Sequence, residues 1–169
     1  MLETHPFPAF VPPLTKYLIL GSFVGKPAPG YDWFYNSPRN QFWSILEAVY
    51  HLKLNSKKSQ QQLFTRLSFA VTDIIYCCDR SAGNNLDTNL IDIVYNTRVI
   101  RNILSQNNIH KIYFTSRFVA DKFHAHFGRL LTRFPHIRLI TLPSPSPRYA
   151  QIAKEEKILL YSRLLPRLQ

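Results

Sequence analysis

One stretch near the N-terminus reads Tyr17-Leu18-Ile19-Leu20-Gly21-Ser22-Phe23-Val24-Gly25. Its first four residues are large and apolar, with no polar residue alternating among them. Such a run is typical of a strand that is covered on both faces, as in a parallel sheet. The two glycines that follow allow the backbone to turn sharply and to approach a ligand closely. The stretch therefore predicts a buried strand followed by a functional loop.

The rest of the chain alternates strand-like and helix-like segments. Three more apolar runs occur, at Phe69–Tyr76, Ile109–Phe114 and Ile137–Leu142. Five segments place apolar residues at the spacing of an amphipathic helix, namely 41–52, 59–67, 90–104, 118–127 and 152–165. This alternation implies right-handed crossovers and an α/β fold, a three-layer α/β/α arrangement with a central, mostly parallel four-stranded sheet. With no repeat and no linker, residues 1–169 are expected to form one domain.

The charge of the chain is strongly basic and unevenly distributed. The net charge is +11, and residues 98–169 carry thirteen Lys or Arg against three Asp or Glu. Residues 1–97 carry eight against seven. Arg outnumbers Lys nine to four in the basic half, which favours phosphate recognition by planar guanidinium groups. This half should attract polyanions, nucleic acid first and an acidic membrane second.

Composition argues against several other classes of protein. No apolar run approaches the ~20 residues that a membrane span needs. Residues 1–13 lack the basic start and apolar middle of a signal peptide, so we expect a cytoplasmic monomer with no membrane partner. The only cysteines are Cys77 and Cys78, and neighbours on a strand point to opposite faces. We therefore expect two buried thiols, no metal site and no cofactor.

Ligands of α/β sheets bind beyond the carboxyl ends of the strands, so the functional loops should begin at Gly21, Cys77, Thr115 and Pro143. The first loop is no phosphate loop, because no Gly-Lys-Ser or Gly-Lys-Thr follows. It carries the aromatic cluster Trp33-Phe34-Tyr35, which could stack on a nucleobase or pack on itself. Asn40 precedes the first helical segment, where it fits an N-cap.

The last loop, Pro143-Ser144-Pro145-Ser146-Pro147-Arg148, is stiffened by three alternating prolines. Ser146 followed by Pro147 fits an N-cap and a first helical residue. A helix that begins there, with Arg148 beside it, would form a phosphate site. The alternative is a plain connection between a strand and a helix.

These segments resemble a known family, the uracil-DNA glycosylase superfamily. The first motif region, LILGSF at 18–23 and FYNSPRNQFWSIL at 34–46, is most similar to the hypoxanthine-DNA glycosylase branch and to the mismatch-specific uracil-DNA glycosylases. The loop LPSPSP at 142–147, with its following helix, resembles the second motif, which enters the duplex. VTDIIYCCDRSAGNNLD at 71–87 resembles the strand and loop of the pocket floor. The resemblance is scattered over residues 17–165.

The resemblance implies a DNA glycosylase without cofactor, acting on double-stranded DNA that contains a damaged base. It implies that Asn40 is the catalytic residue, which holds the attacking water, and that Tyr35 stacks on the flipped base. Asp73 would either meet the base edge or bond backbone N–H groups. The implied substrate-binding residues are Gly21, Ser22, Phe23, Tyr35, Asp73 and Ser144. The implied DNA-binding residues are Arg39, Pro145, Ser146 and Arg148.

Two departures from the superfamily bear on the substrate. Ser22 and Phe23 stand where uracil-removing relatives carry Asp or Asn, and residues 143–147 lack the His of the main uracil enzymes. The hypoxanthine branch shares both absences, so hypoxanthine is the expected base. The alternatives are a uracil or G·T/G·U mismatch glycosylase and a non-catalytic DNA-binding module of the same fold.

Overall fold

The structure is a computed structural model that describes residues 1–169. Its strands are β1 (Glu3–Thr4), β2 (Tyr17–Gly21), β3 (Phe69–Asp73), β4 (Ile75–Arg80), β5 (Leu90–Tyr95), β6 (Lys111–Phe114) and β7 (Arg138–Thr141). Its α-helices are α1 (Phe42–Tyr50), α2 (Lys57–Leu67), α3 (Thr97–Gln106), α4 (Arg117–Leu131) and α5 (Lys154–Leu164). A short 3₁₀ turn covers Asp87–Asn89.

The central sheet has four parallel strands in the order β3-β2-β6-β7. Strand β2 is an inner strand, with Tyr17 opposite Phe69 of β3 and opposite Lys111 of β6. Because all four strands run in the same direction, their carboxyl ends meet at one edge of the sheet. The expected parallel four-stranded sheet is confirmed.

Alternate residues of β2 face two separate hydrophobic cores. Leu18 and Leu20 pack with residues of α3 and α4 in one core. Ile19 packs with residues of α1, α2 and α5 in the other. Helices therefore cover both faces of the sheet, which explains why its strands are continuously apolar. The expected three-layer α/β/α fold is confirmed.

A second sheet, antiparallel and three-stranded in the order β1-β4-β5, was not expected. The apolar run Phe69–Tyr76 is not one strand, because β3 ends at Asp73 and β4 follows after one residue. The helix predicted over 90–104 was also wrong in its first half, which is strand β5. Residues 90–94 include three β-branched residues, which favour pairing with β4 over a helical turn.

The helix after the last loop begins later than the sequence indicated. No helix starts at Ser146 or Pro147, and α5 begins only at Lys154. Ser146 instead closes a local turn, in which its Oγ accepts a hydrogen bond from the N–H of Arg148 at 3.3 Å. The expected phosphate site at a helix N-terminus beginning at Ser146 is therefore wrong.

Two expectations from composition can be compared with the structure. Cys77 and Cys78 lie in β4 as buried free thiols, as predicted. None of the helices combines the length and the apolar character that crossing a membrane requires.

Candidate active site

A cleft of about 1470 Å³ opens at the carboxyl ends of the central strands, between the loops that follow β2, β3, β6 and β7. Of the eleven residues that the sequence assigned to a site, all but Gly21 line this cleft, and Gly21 lies against two of them. The ten lining residues are Ser22, Phe23, Tyr35, Arg39, Asn40, Asp73, Ser144, Pro145, Ser146 and Arg148. The fold thus brings together loops that are up to 126 residues apart, from Ser22 to Arg148.

Gly21 ends β2 at the floor of the cleft, where two polar side chains press against its backbone. A Cβ atom at this position would lie 2.3 Å from Asp73 Oδ1 and 2.7 Å from the Tyr35 hydroxyl. Neither distance is compatible with a side chain, so the glycine is required by this close approach. The Asp73 carboxylate and the Tyr35 hydroxyl therefore both lie against the backbone of Gly21.

Tyr35 occupies a strained position and carries an unpaired hydroxyl. Its backbone has a φ of 61°, a left-handed conformation that a non-glycine residue rarely adopts. One face of its ring stacks on Phe42, with ring centroids 4.1 Å apart. Its hydroxyl is buried and makes no hydrogen bond of regular geometry, although the Thr115 side chain lies near enough to lower its pKa. Burial, and then the nearby Asp73 carboxylate, raise the pKa of Tyr35 well above its ordinary value, so the hydroxyl keeps its proton.

Asn40 lies at the mouth of the cleft, just before α1. Its Oδ1 accepts a hydrogen bond from the N–H of Phe42 at 2.8 Å, so the side chain satisfies the first free N–H of α1, although Gln41 and not Asn40 occupies the N-cap position. Helix α1 begins at Phe42 rather than directly after Asn40. The cap uses one acceptor position of Oδ1, and no protein hydrogen bond uses Nδ2. The capping and water-holding interpretations of Asn40 are therefore compatible.

Ser22 in the first loop is paired with an acidic residue from another loop. Its hydroxyl donates to Asp87 Oδ1 at 2.7 Å. Burial raises the pKa of Asp87 above its ordinary value, the Ser22 hydrogen bond lowers it, and the Asp73 carboxylate raises it again. Positions 22 and 23 of the first loop therefore carry no carboxylate, but the 3₁₀ turn places that of Asp87 against Ser22.

His5, from the segment after β1, contacts the floor of the cleft. Its Nε2 lies 2.7 Å from Asp73 Oδ2, and both side chains are only 6% exposed. The imidazole is enclosed by three phenyl rings, those of Phe7, Phe23 and Phe34. The N-terminal segment is thus part of the candidate site, although the sequence analysis assigned it no role.

The last loop is fixed against α1 and α5 by buried hydrogen bonds. The N–H of Gln41 donates to Pro145 O at 2.9 Å. The Lys157 ammonium, 1% exposed, donates to Gln41 Oε1 and to Ser146 O, each at 3.1 Å. Pro145 is itself buried, whereas residues 147–149 are exposed. The sequence assigned Pro145 to DNA contact, but the exposed tip of the loop lies two residues further on.

The rim of the cleft is basic. Four exposed cationic side chains line it, those of Lys26, Arg39, Arg117 and Arg148. They come from three segments, the loop between β2 and α1, the start of α4 and the loop after β7, so the fold concentrates positive charge around one opening. A polyanion is attracted to a surface of this kind.

The candidate site has no metal-binding geometry, because nowhere in the chain do three or more His, Cys, Asp or Glu side chains form a group able to hold an ion. His124 lines the cleft, but His126 stacks on Tyr95 at 4.0 Å instead. The chemistry of the cleft must therefore be sought in its amide, hydroxyl, carboxylate and imidazole groups.

Sequence reasoning missed three of the residues that build this site. His5 and Asp87 lie 68 and 65 residues from their partners, and no periodic pattern signals such contacts. Lys157 lies in the helical segment predicted over 152–165. Its spacing of four and eight residues from the apolar Tyr161 and Leu165, both buried, was the one signal that it could be buried.

The fold and the cleft together define an α/β protein whose site lies at the carboxyl edge of a parallel sheet. Among solved structures, the chain matches one titled "Solution NMR Structure of a putative Uracil DNA glycosylase from Methanosarcina acetivorans", with a TM-score of 0.69 and 20% sequence identity. The match covers 97% of this chain and 99% of that chain. No protein-family model and no curated protein matches the chain. The two proteins therefore share a fold over their whole length.

Proposed function

We propose that this chain is a single-domain, monomeric DNA glycosylase that removes a deaminated base, hypoxanthine above all, from double-stranded DNA. The observation that carries the proposal is the meeting of Asn40, Tyr35 and Asp73 in one basic-rimmed cleft. Tyr35 and Asn40 come from the loop between β2 and α1, Asp73 ends β3, and each supplies a group that base excision requires.

The rim supports binding of DNA through its phosphates. Lys26, Arg39, Arg117 and Arg148 surround the opening, and phosphate contacts by such residues dominate affinity for DNA. A glycosylase must take its target nucleotide out of the stack to reach the glycosidic bond. The exposed tip at residues 147–149, on a loop stiffened by prolines and held by Lys157, is suited to occupy the space that the base leaves.

The floor of the cleft supports recognition of the base edge that deamination creates. Asp73 Oδ2 is engaged by His5, which leaves Oδ1 free to accept a hydrogen bond. The unpaired Tyr35 hydroxyl can donate one to a carbonyl. Hypoxanthine, xanthine and uracil each present a ring N–H next to a carbonyl, whereas adenine and cytosine lack that ring N–H. This pair of groups therefore favours hypoxanthine over adenine and uracil over cytosine, whereas guanine and thymine present the same kind of edge and must be excluded by other contacts.

Excision requires no covalent enzyme intermediate. The bond between C1′ and the ring nitrogen breaks, its electron pair leaves with the base, and the sugar passes through an oxocarbenium-like state. A water oxygen then bonds to C1′, and the proton that this water loses passes to the departing base anion, which leaves as the neutral base. We propose that Asn40 Nδ2 and the second acceptor position of Oδ1 hold this water. An amide accepts a proton poorly, so the rate should be modest. A modest rate is enough for a nucleobase that leaves readily.

Uracil is the second candidate base. The solved structure that shares this fold carries uracil DNA glycosylase in its title, and uracil offers the same N–H and carbonyl as hypoxanthine. Against it, the first loop has Ser22 rather than an acidic residue or an amide. Asp87 beside Ser22 could supply the missing carboxylate.

The test is a glycosylase assay on matched duplexes that carry hypoxanthine, xanthine, uracil or no lesion. The proposal predicts excision of hypoxanthine that exceeds excision of uracil, and no excision of undamaged bases. Release of uracil alone would favour the second candidate. Tight binding to every duplex without release of any base would instead indicate a non-catalytic DNA-binding module.

A further inference from the structure

The pair formed by His5 and Asp73 is buried and geometrically well defined. His5 Nε2 and Asp73 Oδ2 are 2.7 Å apart, and Asp73 lines the cleft. The strand β1, which pairs with β4 through Glu3 and Thr4, fixes the start of the His5 segment. The N–H of His5 donates to Tyr76 O at 2.8 Å and extends this anchorage. The backbone that carries the imidazole is therefore anchored to β4.

The other ring nitrogen of His5 can be satisfied in either protonation state. Nδ1 lies 3.1 Å from the N–H of Phe7 and 2.9 Å from the carbonyl oxygen of Phe7. A neutral ring can accept from the N–H, and a protonated ring can donate to the carbonyl, while Nε2–H donates to Asp73 in both states. In either state the ring can therefore keep its hydrogen bond to the Asp73 carboxylate.

Few other charges surround this pair. Arg80 lies over the ring of Phe23, 5.5 Å from its centroid, and its Nε donates to Glu3. The Asp73 carboxylate contributes to raising the pKa of Asp87 and that of the buried Tyr31 hydroxyl. The rings that touch His5 are apolar, those of Phe7, Phe23 and Phe34. His5 is thus the side chain that directly hydrogen-bonds the Asp73 carboxylate.

We propose that His5 is a positioning residue, which aims Asp73 Oδ1 at the flipped base and, when protonated, balances the carboxylate charge as negative charge develops on the leaving base. The inference rests on the proposed function. An unbalanced carboxylate would repel a departing base anion, whereas a carboxylate paired with an imidazolium would not. Excision should therefore slow as the pH rises and His5 loses its proton.

The experiment compares wild type with His5→Ala and His5→Gln, using single-turnover excision at saturating enzyme across a pH series. His5→Ala should slow excision roughly tenfold or more, which corresponds to about 1.4 kcal/mol of barrier, with unchanged affinity for lesion duplex. His5→Gln keeps a donor toward Asp73 but cannot titrate. It should therefore excise faster than His5→Ala, at a rate that does not change with pH and that matches the alkaline limit of wild type. The matched control is His136→Gln, at an exposed position outside the cleft.

A second readout separates this role from simple packing. In an NMR pH titration of the six histidines, the signal that disappears in His5→Gln should shift its titration when Asp73 is replaced by Asn. Wild-type excision with an unaffected His5→Ala rate would overturn the inference and leave the proposed function standing. So would an alkaline decline that persists in His5→Gln. If wild type excises no base from any duplex, the proposed function fails, and this role fails with it.

Discussion

At the scale of single residues, the floor of the cleft depends on a missing side chain. Gly21 allows Asp73 and Tyr35 to converge on the end of β2, at distances that no Cβ atom tolerates. The arrangement also uses the left-handed backbone of Tyr35 and leaves its buried hydroxyl unpaired. Backbone strain and unsatisfied polar groups are more common at ligand-binding sites than elsewhere. This agrees with the proposed role of Asp73 and Tyr35 in base recognition.

The first prediction concerns this close approach. Gly21→Ala should lower stability by about 1–3 kcal/mol, the usual cost of overpacking, and should displace Asp73 and Tyr35 from the floor. Gly128→Ala is the matched control, because a Cβ there meets no atom within 4 Å and the residue lies inside α4. That change should be neutral or gain up to about 1 kcal/mol. Equal melting temperatures for the two variants would refute the crowding at Gly21.

The second prediction concerns Asp87, whose pKa is raised chiefly by burial. A carboxyl group with a raised pKa binds its proton more tightly in the folded state, so its ionisation costs stability as the pH rises through that window. Asp87→Asn keeps an acceptor for Ser22 and removes the charge. Its melting temperature should exceed that of wild type at pH 7, and the gain should vanish at a pH low enough to protonate Asp87. A variant that is less stable at pH 7 would contradict this account.

At the scale of secondary structure, α5 holds the last loop and the start of α1 together. Lys157 bridges Gln41 and Ser146, and the Tyr161 hydroxyl donates to Pro143 O at 2.7 Å. The segment that carries Asn40 and the last loop are therefore one connected unit. Movement of the loop on binding DNA would be felt directly at Asn40.

The third prediction tests this connection. Lys157→Met should free the loop, so that amide hydrogen exchange rises at residues 144–149 and excision falls roughly tenfold or more. Global stability should change little, because the lysine is buried without a carboxylate partner and its desolvation offsets its hydrogen bonds. Lys154→Met removes the same charge from the same helix and should affect neither readout. Unchanged exchange in Lys157→Met would mean that other contacts hold the loop.

The elements also show which parts of the fold the sequence could predict. The four parallel strands were predictable because burial on both faces makes their sequences continuously apolar. The sheet β1-β4-β5 was not, because β1 has only two residues and β5 carries Ile91 and Val94 on an exposed face. The loop residues of the site followed from their positions after strands and from the resemblance. The His5–Asp73 contact depends on tertiary packing that no local pattern records.

At the scale of the whole molecule, the fold gathers positive charge around one opening. The fourth prediction is that Arg148→Ala weakens DNA binding and reduces the slope of log affinity against log salt by roughly 0.9, the value for one lost phosphate contact. Arg167→Ala removes an exposed arginine from the same basic half, away from the cleft, and should leave the slope unchanged. Identical slopes for the two variants would place the DNA face elsewhere.

The proposed glycosylase function depends on Asn40, which we propose holds the attacking water. Because Asn40 also caps α1, Asn40→Ala should cost ~1 kcal/mol of stability. Asn40→Asp should keep the cap, and its carboxylate can accept the proton of the water. Ser56→Ala removes a cap of similar worth from α2, outside the cleft. It therefore reproduces the loss of stability without touching the chemistry.

The most direct measurement is single-turnover excision of hypoxanthine at saturating enzyme, beside a thermal melt, for wild type and these three variants. The account predicts that Asn40→Ala loses roughly 10²-fold or more in rate, about 2.7 kcal/mol of barrier, while it still binds lesion DNA. Asn40→Asp should retain activity, and Ser56→Ala should excise at the wild-type rate. Excision by a folded Asn40→Ala at the rate of Ser56→Ala would contradict the proposal that Asn40 holds the attacking water.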